Sequence, residues 1–234
     1  MNKFTKNNYL VIKNVISKEL TDYLYNYLLL KRQVADSFFQ TNYISKHEHI
    51  HGTWNDAQVP NTYTLYCDSA MEILLTKLKP IMEKHTALKL VETYSFSRIY
   101  KKGDILYRHT DRDSCEISTT LNLGGDPWPI FLDPTGDQSV VDFKFTKKGE
   151  EVTLKKNPNR GEKIILTPGD MLVYKGCLLE HWRDAFKGDN CGQVFLHYND
   201  LNSKNVKPSK FDGKIHLGLP KDHHAFLVTN KKEK

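Results

Sequence analysis

The segment Tyr107-Arg108-His109-Thr110-Asp111 sets an imidazole and a carboxylate two positions apart. In an extended strand, residues i and i+2 project from the same face. His109 and Asp111 can therefore reach one metal ion together, and if the chain bends there the pair can still converge from a strand end. A third ligand must come from a distant strand, and Glu180-His181-Trp182 offers His181, 72 residues beyond His109. Two imidazoles and one carboxylate on one face of an octahedron leave three coordination positions open. That donor set suits iron(II), with room for a bidentate keto acid and then O₂.

Positioning these residues falls to strands. From about residue 88 the pattern predicts strands at 90–100, 115–123, 129–132, 140–145, 151–154, 163–166, 171–175 and 193–198. Gly and Pro punctuate them at Lys102-Gly103-Asp104, Gly124-Gly125-Asp126, Pro134-Thr135-Gly136, Pro158-Asn159-Arg160-Gly161 and Pro168-Gly169-Asp170. Ahead of them, Tyr9 to Val15 reads as a first strand. Ser17 caps a helix carrying Leu20, Leu24, Tyr27 and Leu28 at helical spacing. Residues 33–62 lack periodicity and read as a long loop. Asp68 caps a second helix with Met71, Ile73, Leu74, Leu78 and Ile81 on its apolar face, interrupted or kinked at Pro80. Two helices followed by about eight strands suggest a barrel or jelly roll braced by helices, mainly β in class. Residues 1–88 form the helical support, 89–200 the β core, and 201–234 an extension ending in a basic tip.

The order of these parts carries a resemblance. A Tyr-led loop enters His109-x-Asp111, and the strand Cys115-Glu116-Ile117-Ser118-Thr119-Thr120-Leu121 follows. A Pro168-Gly169-Asp170 turn precedes Met171-Leu172-Val173-Tyr174, His181 comes next, and Gln193-Val194-Phe195-Leu196-His197-Tyr198 closes the run. From about residue 94 to 200 the chain resembles the catalytic domain of the prolyl 4-hydroxylase-like 2-oxoglutarate oxygenases. The resemblance implies a double-stranded β-helix, with His109, Asp111 and His181 as ligands of Fe(II). It further implies hydroxylation of a C–H bond coupled to decarboxylation of 2-oxoglutarate to succinate, with ascorbate as a possible auxiliary reductant. The substrate class it implies is a prolyl or other amino-acid side chain in a peptide, a protein or a free amino acid. Tyr100 stands where the family often has a tyrosine hydrogen-bonding the co-substrate; a plain core tyrosine is the competing reading.

The chain departs from the family at one place. An Arg or Lys about ten residues after the far histidine normally pairs with the distal carboxylate of 2-oxoglutarate, a task suited to a bidentate guanidinium. Here Asn190-Cys191-Gly192-Gln193 supplies no cation. Arg183, two residues after His181, is the first candidate. Arg98, on the same face as Tyr100, is the second, and Lys187 in a loop is the third.

His47-Glu48-His49-Ile50-His51 spells HExxH, and Glu72 could serve as a further zinc ligand. That motif works on a helix, whereas Gly52 follows at once and no helical stripe surrounds it, so a loop near the pocket mouth is expected. His223-His224 reads as solvated. The four cysteines, Cys67, Cys115, Cys177 and Cys191, include no CxxC pair and read as reduced and mostly buried.

With 234 residues, 39% hydrophobic and 26% charged, the chain suits one globular domain. It has no apolar run of the roughly 20 residues that span a membrane. The polar N-terminus predicts a cytoplasmic location. The net charge of +6 is spread over short runs such as Lys147-Lys148 and Lys231-Lys232-Glu233-Lys234, so a dedicated nucleic-acid surface is not expected. Two other functions compete with hydroxylation. A catalytically degenerate β-helix would bind a ligand or partner without turnover. A nucleic-acid demethylase would need a pair of arginines after the far histidine, and Arg183 has no such companion before Tyr198.

Overall fold

Both long helices start at the predicted caps. Ser17 Oγ accepts from Leu20 N at 3.3 Å, and the Asp68 carboxylate accepts from Ala70 N at 3.0 Å, satisfying N–H groups that the first helical turn leaves free. The structure is a computed structural model. It describes residues 3–45, 48–146, 149–155 and 157–220, with the backbone alone over 140–155. In chain order the first elements are α1 (Lys3–Asn7), β1 (Tyr9–Ile12), α2 (Lys18–Gln40), β2 (Tyr63–Tyr66) and α3 (Ser69–Thr86). There follow β3 (Leu90–Lys101), β4 (Leu106–His109), β5 (Ile117–Gly125), β6 (Ile130–Leu132), β7 (Val140–Thr146) and β8 (Gly149–Lys155). The chain then forms β9 (Glu162–Ile164), β10 (Met171–Lys175), β11 (His181–Arg183), β12 (Asn190–Asp200) and the short helix α4 (Val206–Ser209).

A six-stranded sheet runs in the order β1-β10-β5-β12-β3-β2, and a four-stranded sheet in the order β4-β11-β6-β9. All the pairings are antiparallel. These are the major and minor sheets of a double-stranded β-helix; β7 and β8 form a separate hairpin. Helices α2 and α3 lie on the major sheet. Leu28, Met71, Leu75 and Met82 join Leu121, Met171, Val194 and Leu196 in one apolar cluster. Burying each such side chain contributes roughly 1.5–3 kcal/mol, and this layer holds the sheet rigid beneath the site.

Three expectations change. Helix α2 continues to Gln40 into what reads as loop, because only Ala35 of its second half is buried and no stripe marks it. Helix α3 passes through Pro80 without interruption; its buried face outweighs the one backbone hydrogen bond that Pro removes. The first strand ends at Ile12 rather than Val15. Strands β2, β4 and β11 are additional, at three or four residues each.

Residues 201–220 pack back on the barrel through Asp212. Its carboxylate takes both Arg112 Nη atoms at 2.8 and 2.9 Å and also accepts from the Tyr66 hydroxyl. Phe211 and Asp212 sit consecutively in left-handed backbone, at φ 51° and 53°. His47, His223-His224 and the basic tip lie outside the described residues. His51 lies in a turn, its carbonyl accepting from Tyr63 Oη, while Glu72 is buried in α3 and accepts from Ser95. Cys67, Cys115 and Cys191 are buried, Cys177 is partly exposed, and all are free thiols. No helix among the described residues is long and apolar enough to cross a membrane.

Candidate active site

Strands β4 and β11 pair with His109 directly opposite His181, bringing the two rings to 4.3 Å between centroids. Strand β4 ends at His109, and Asp111 lies just past it, its N–H donating to Gly176 O at 2.9 Å. The pair therefore converges from a strand end rather than along one strand. Asp111 Oδ1 is 3.5 Å from His181 Nε2 and 3.7 Å from His109 Nε2. Ligand atoms of all three lie within 4.8 Å of one another, the spacing of a metal-binding cluster.

The two imidazoles share one tautomer. His109 Nδ1 faces Tyr107 O at 2.7 Å and His181 Nδ1 faces Leu179 O at 3.1 Å. A carbonyl only accepts, so each ring holds its proton on Nδ1 and turns the bare Nε2 toward Asp111. Burial and the neighbouring His181 lower the His109 pKa to about 4. Burial alone would raise the Asp111 pKa, but the neighbouring His181 and His197 imidazoles and the Ser118 hydroxyl hold the carboxyl well below the usual range. Behind Asp111, Ser118 Oγ donates to Oδ2 at 2.6 Å and receives His197 Nδ1 at 3.0 Å. Burial lowers the His197 pKa to about 4 as well. On the outer face of β4, Arg108 binds Glu180 and Asp133 and lies 4.2 Å over the Trp182 ring, tying β4 to β11 and β6.

The three residues open onto a cavity of about 270 Å³ between the two sheets. Tyr94, Phe96, Arg98 and Tyr100 of β3, Tyr174 of β10, and Phe195 and His197 of β12 form its walls. It shares Asp56, Tyr94, Phe96 and Arg112 with a second cavity of about 320 Å³, which reaches His49, Tyr66, Asp212 and Pro220.

The candidate cations differ sharply. Arg183 is 1% exposed, and no carboxylate pairs with it among the described residues. Its Nη1 donates to Trp128 O and its guanidinium lies 5.0 Å from the Trp128 ring, while Nε and Nη2 have no partner. Burial lowers its pKa. Nε–H and one Nη2–H form the side-on fork of a guanidinium, the geometry that takes a carboxylate bidentately. Arg183 does not itself line the cavity, but its neighbours Tyr100 and Tyr174 do. Arg98 is equally buried yet already paired, to Asp56 at 2.9 Å, Gln58 at 3.2 Å and Tyr100 Oη at 3.3 Å. Lys187 is exposed and stands away from the cavity. Tyr100 is both a fully buried core residue and a cavity wall.

Sequence reasoning missed Gln58, Ser118, Tyr174, Gly176 and His197. Ser118, Tyr174 and His197 occupy strands recognised from the sequence, but those strands are buried on both faces, so no alternation marks the inward positions. Gln58 sits in a loop that gave no signal.

No protein-family profile and no curated protein matches the sequence. Solved structures do. A prolyl-4-hydroxylase of Pseudomonas putida has a TM-score of 0.56 at 12% identity, covering 84% of this chain and 95% of its own. The non-heme α-ketoglutarate-dependent epimerase SnoN, from nogalamycin biosynthesis, has 0.57 at 12% identity, covering 93% and 92%. HygX of Streptomyces hygroscopicus, with nickel and 2-oxoglutarate bound, has 0.52 at 10% identity, covering 87% and 91%. The fold is thus that of the 2-oxoglutarate oxygenases. Its known occupants include an epimerase as well as hydroxylases, so the fold alone does not select the reaction.

Proposed function

We propose that this chain is an Fe(II)- and 2-oxoglutarate-dependent dioxygenase that hydroxylates an unactivated C–H bond, with a prolyl or other amino-acid side chain as substrate. The observation that carries the reading is the pairing of two features in one barrel. A His-Asp-His cluster offers three inward ligand atoms, and a buried arginine keeps an open carboxylate fork behind the cavity wall. His109 Nε2, His181 Nε2 and Asp111 Oδ1 would hold the ion, and the Arg183 fork would hold the distal carboxylate of 2-oxoglutarate. When bound, iron and 2-oxoglutarate together supply the oxidising power for C–H hydroxylation as the keto acid is decarboxylated to succinate. The chain's own residues orient and shield. Tyr107 O and Leu179 O fix the imidazole tautomers, Ser118 fixes Asp111, and Phe96, Leu106, Ile130 and Phe195 put apolar surface into the cavity. The second cavity leads from the metal side toward Asp212 and Pro220 and would admit the substrate as a peptide, a protein segment or a free amino acid.

Purified protein with iron(II), ascorbate, O₂ and 2-oxoglutarate should form succinate, and one member of a panel of proline-containing peptides and free amino acids should stimulate it. Arg183→Ala should raise the 2-oxoglutarate requirement at least tenfold, as expected for losing a charge-assisted bidentate pair, while manganese(II) affinity stays unchanged. If Arg98→Ala does this instead, the fork belongs to Arg98. No succinate and no 2-oxoglutarate binding to metal-loaded protein would leave a non-catalytic binding module.

A further inference from the structure

Both imidazole nitrogens of the proposed metal site face a side chain: His181 Nε2 lies 3.3 Å from Tyr174 Oη, and His109 Nε2 has the closer partner. Gln58 Nε2 lies 2.9 Å from His109 Nε2. Because Nδ1 of His109 holds the ring proton against Tyr107 O, Nε2 is an acceptor and the Gln58 amide is its donor. The amide's orientation is fixed from its other end, where Oε1 accepts from Arg98 Nη1 at 3.2 Å. The reverse placement would set an oxygen against the imidazole lone pair and an NH₂ against a guanidinium. A single lone pair serves either an amide proton or a metal ion.

We propose that Gln58 is a displaceable cap on the metal-binding nitrogen of His109, so that cation binding and the Gln58 contact exclude each other. The inference rests on the reading of His109, Asp111 and His181 as metal ligands. The loop around the cap is anchored at both sides. Thr53 bridges to Thr64, Trp54 packs on Tyr63 and Phe39, and Val59 is 2% exposed. Gln58 itself is exposed, so the cap is a solvent-accessible hydrogen bond, the kind that contributes little net free energy. A side-chain rotation releases it without unseating the loop. The same rotation strips one acceptor from Arg98 and leaves it to Asp56 and Tyr100. Metal occupancy is thereby communicated to the cavity mouth, where Asp56 lines both cavities.

Calorimetry with manganese(II) alone tests this on wild type, Gln58→Ala, Gln58→Leu and His109→Ala. Both Gln58 variants should bind about two- to tenfold more tightly than wild type, the range that one ordinary hydrogen bond spans. The side-chain NH₂ resonances of Gln58, assigned by their loss in the variants, should move toward free-amide positions when diamagnetic zinc(II) is added to wild type. Equal affinities, together with unmoved Gln58 resonances in zinc-loaded protein, would overturn the cap and leave the metal site standing. No binding to wild type, or wild-type binding by His109→Ala, would instead overturn the metal site and the cap with it.

Discussion

Gly176 shows how tightly Asp111 is held. A Cβ there would lie 2.4 Å from Asp111 Oδ2 and from Cys115 O, and 2.6 Å from Ser118 Oγ. Cys115 O is backbone and the other two atoms form a hydrogen-bonded pair, so none of the three can simply yield. Gly176→Ala should therefore swing Asp111 out of line with the two imidazoles. Manganese(II) affinity should fall at least tenfold, the scale of a disturbed metal-supporting contact, with about 1–3 kcal/mol lost from stability through overpacking. Unchanged affinity by calorimetry would show that Asp111 tolerates the shift. The grouping of His109, Asp111 and His181 was legible because ligand types and the order of turns and strands around them are written in sequence, although the His109 and Asp111 pair meets at a strand end and not along one strand. Their support was not: a serine, a glycine and a third histidine acquire roles only when β5, β10 and β12 come together, and nothing in their own neighbourhoods marks them.

Among the elements, β4 and β11 do the positioning although they are four and three residues long. Arg108 ties them, facing away from the cavity to reach Glu180 and Asp133, both nearly fully buried. Arg108→Ala would strip a cation from two buried carboxylates. Asp133 keeps Thr135 and Asn157, and Glu180 keeps Ser139 N, so the expected cost is about 2–3 kcal/mol rather than the full price of a broken buried pair. Urea denaturation would read it as a lower midpoint; a midpoint equal to wild type would assign the tie to the Trp182 stack alone. Neither β4 nor β11 reads as a strand in the sequence, because neither lies between the Gly and Pro turns on both sides that mark the equally short β6 and β9. Strands such as β3, β10 and β12 were readable because they are long or sit between Gly and Pro turns. The second half of α2 was missed because it buries only Ala35 and carries no stripe, and Pro80 does not interrupt α3 because a buried helix face outweighs one missing N–H.

For the whole molecule, the two depressed histidines make stability depend on pH. In metal-free protein, His109 and His197 titrate near 4 when folded but near 6.5 when unfolded. Between those values the unfolded chain binds more protons, so stability rises with pH from about 4 to 6.5 and is fully present above that window. Asp111, held below its ordinary pKa, adds a further loss only below about pH 4. Each histidine can contribute up to about 3 kcal/mol. Thermal unfolding after chelation should thus fall steeply from pH 6.5 to pH 4.5, and a flat profile would show that both rings are solvated. The register that sets His109 opposite His181 has a kinetic side too. If the proposed site holds an ion, that ion would be a staple across a 72-residue loop, equivalent in chain entropy to a cross-link of about 4 kcal/mol. The staple cannot close until residue 181 has been made and β11 has found β4. A nascent or interrupted chain ending inside that span carries His109 and Asp111 but no third grip. Tight capture of the ion would then certify that the topology is finished.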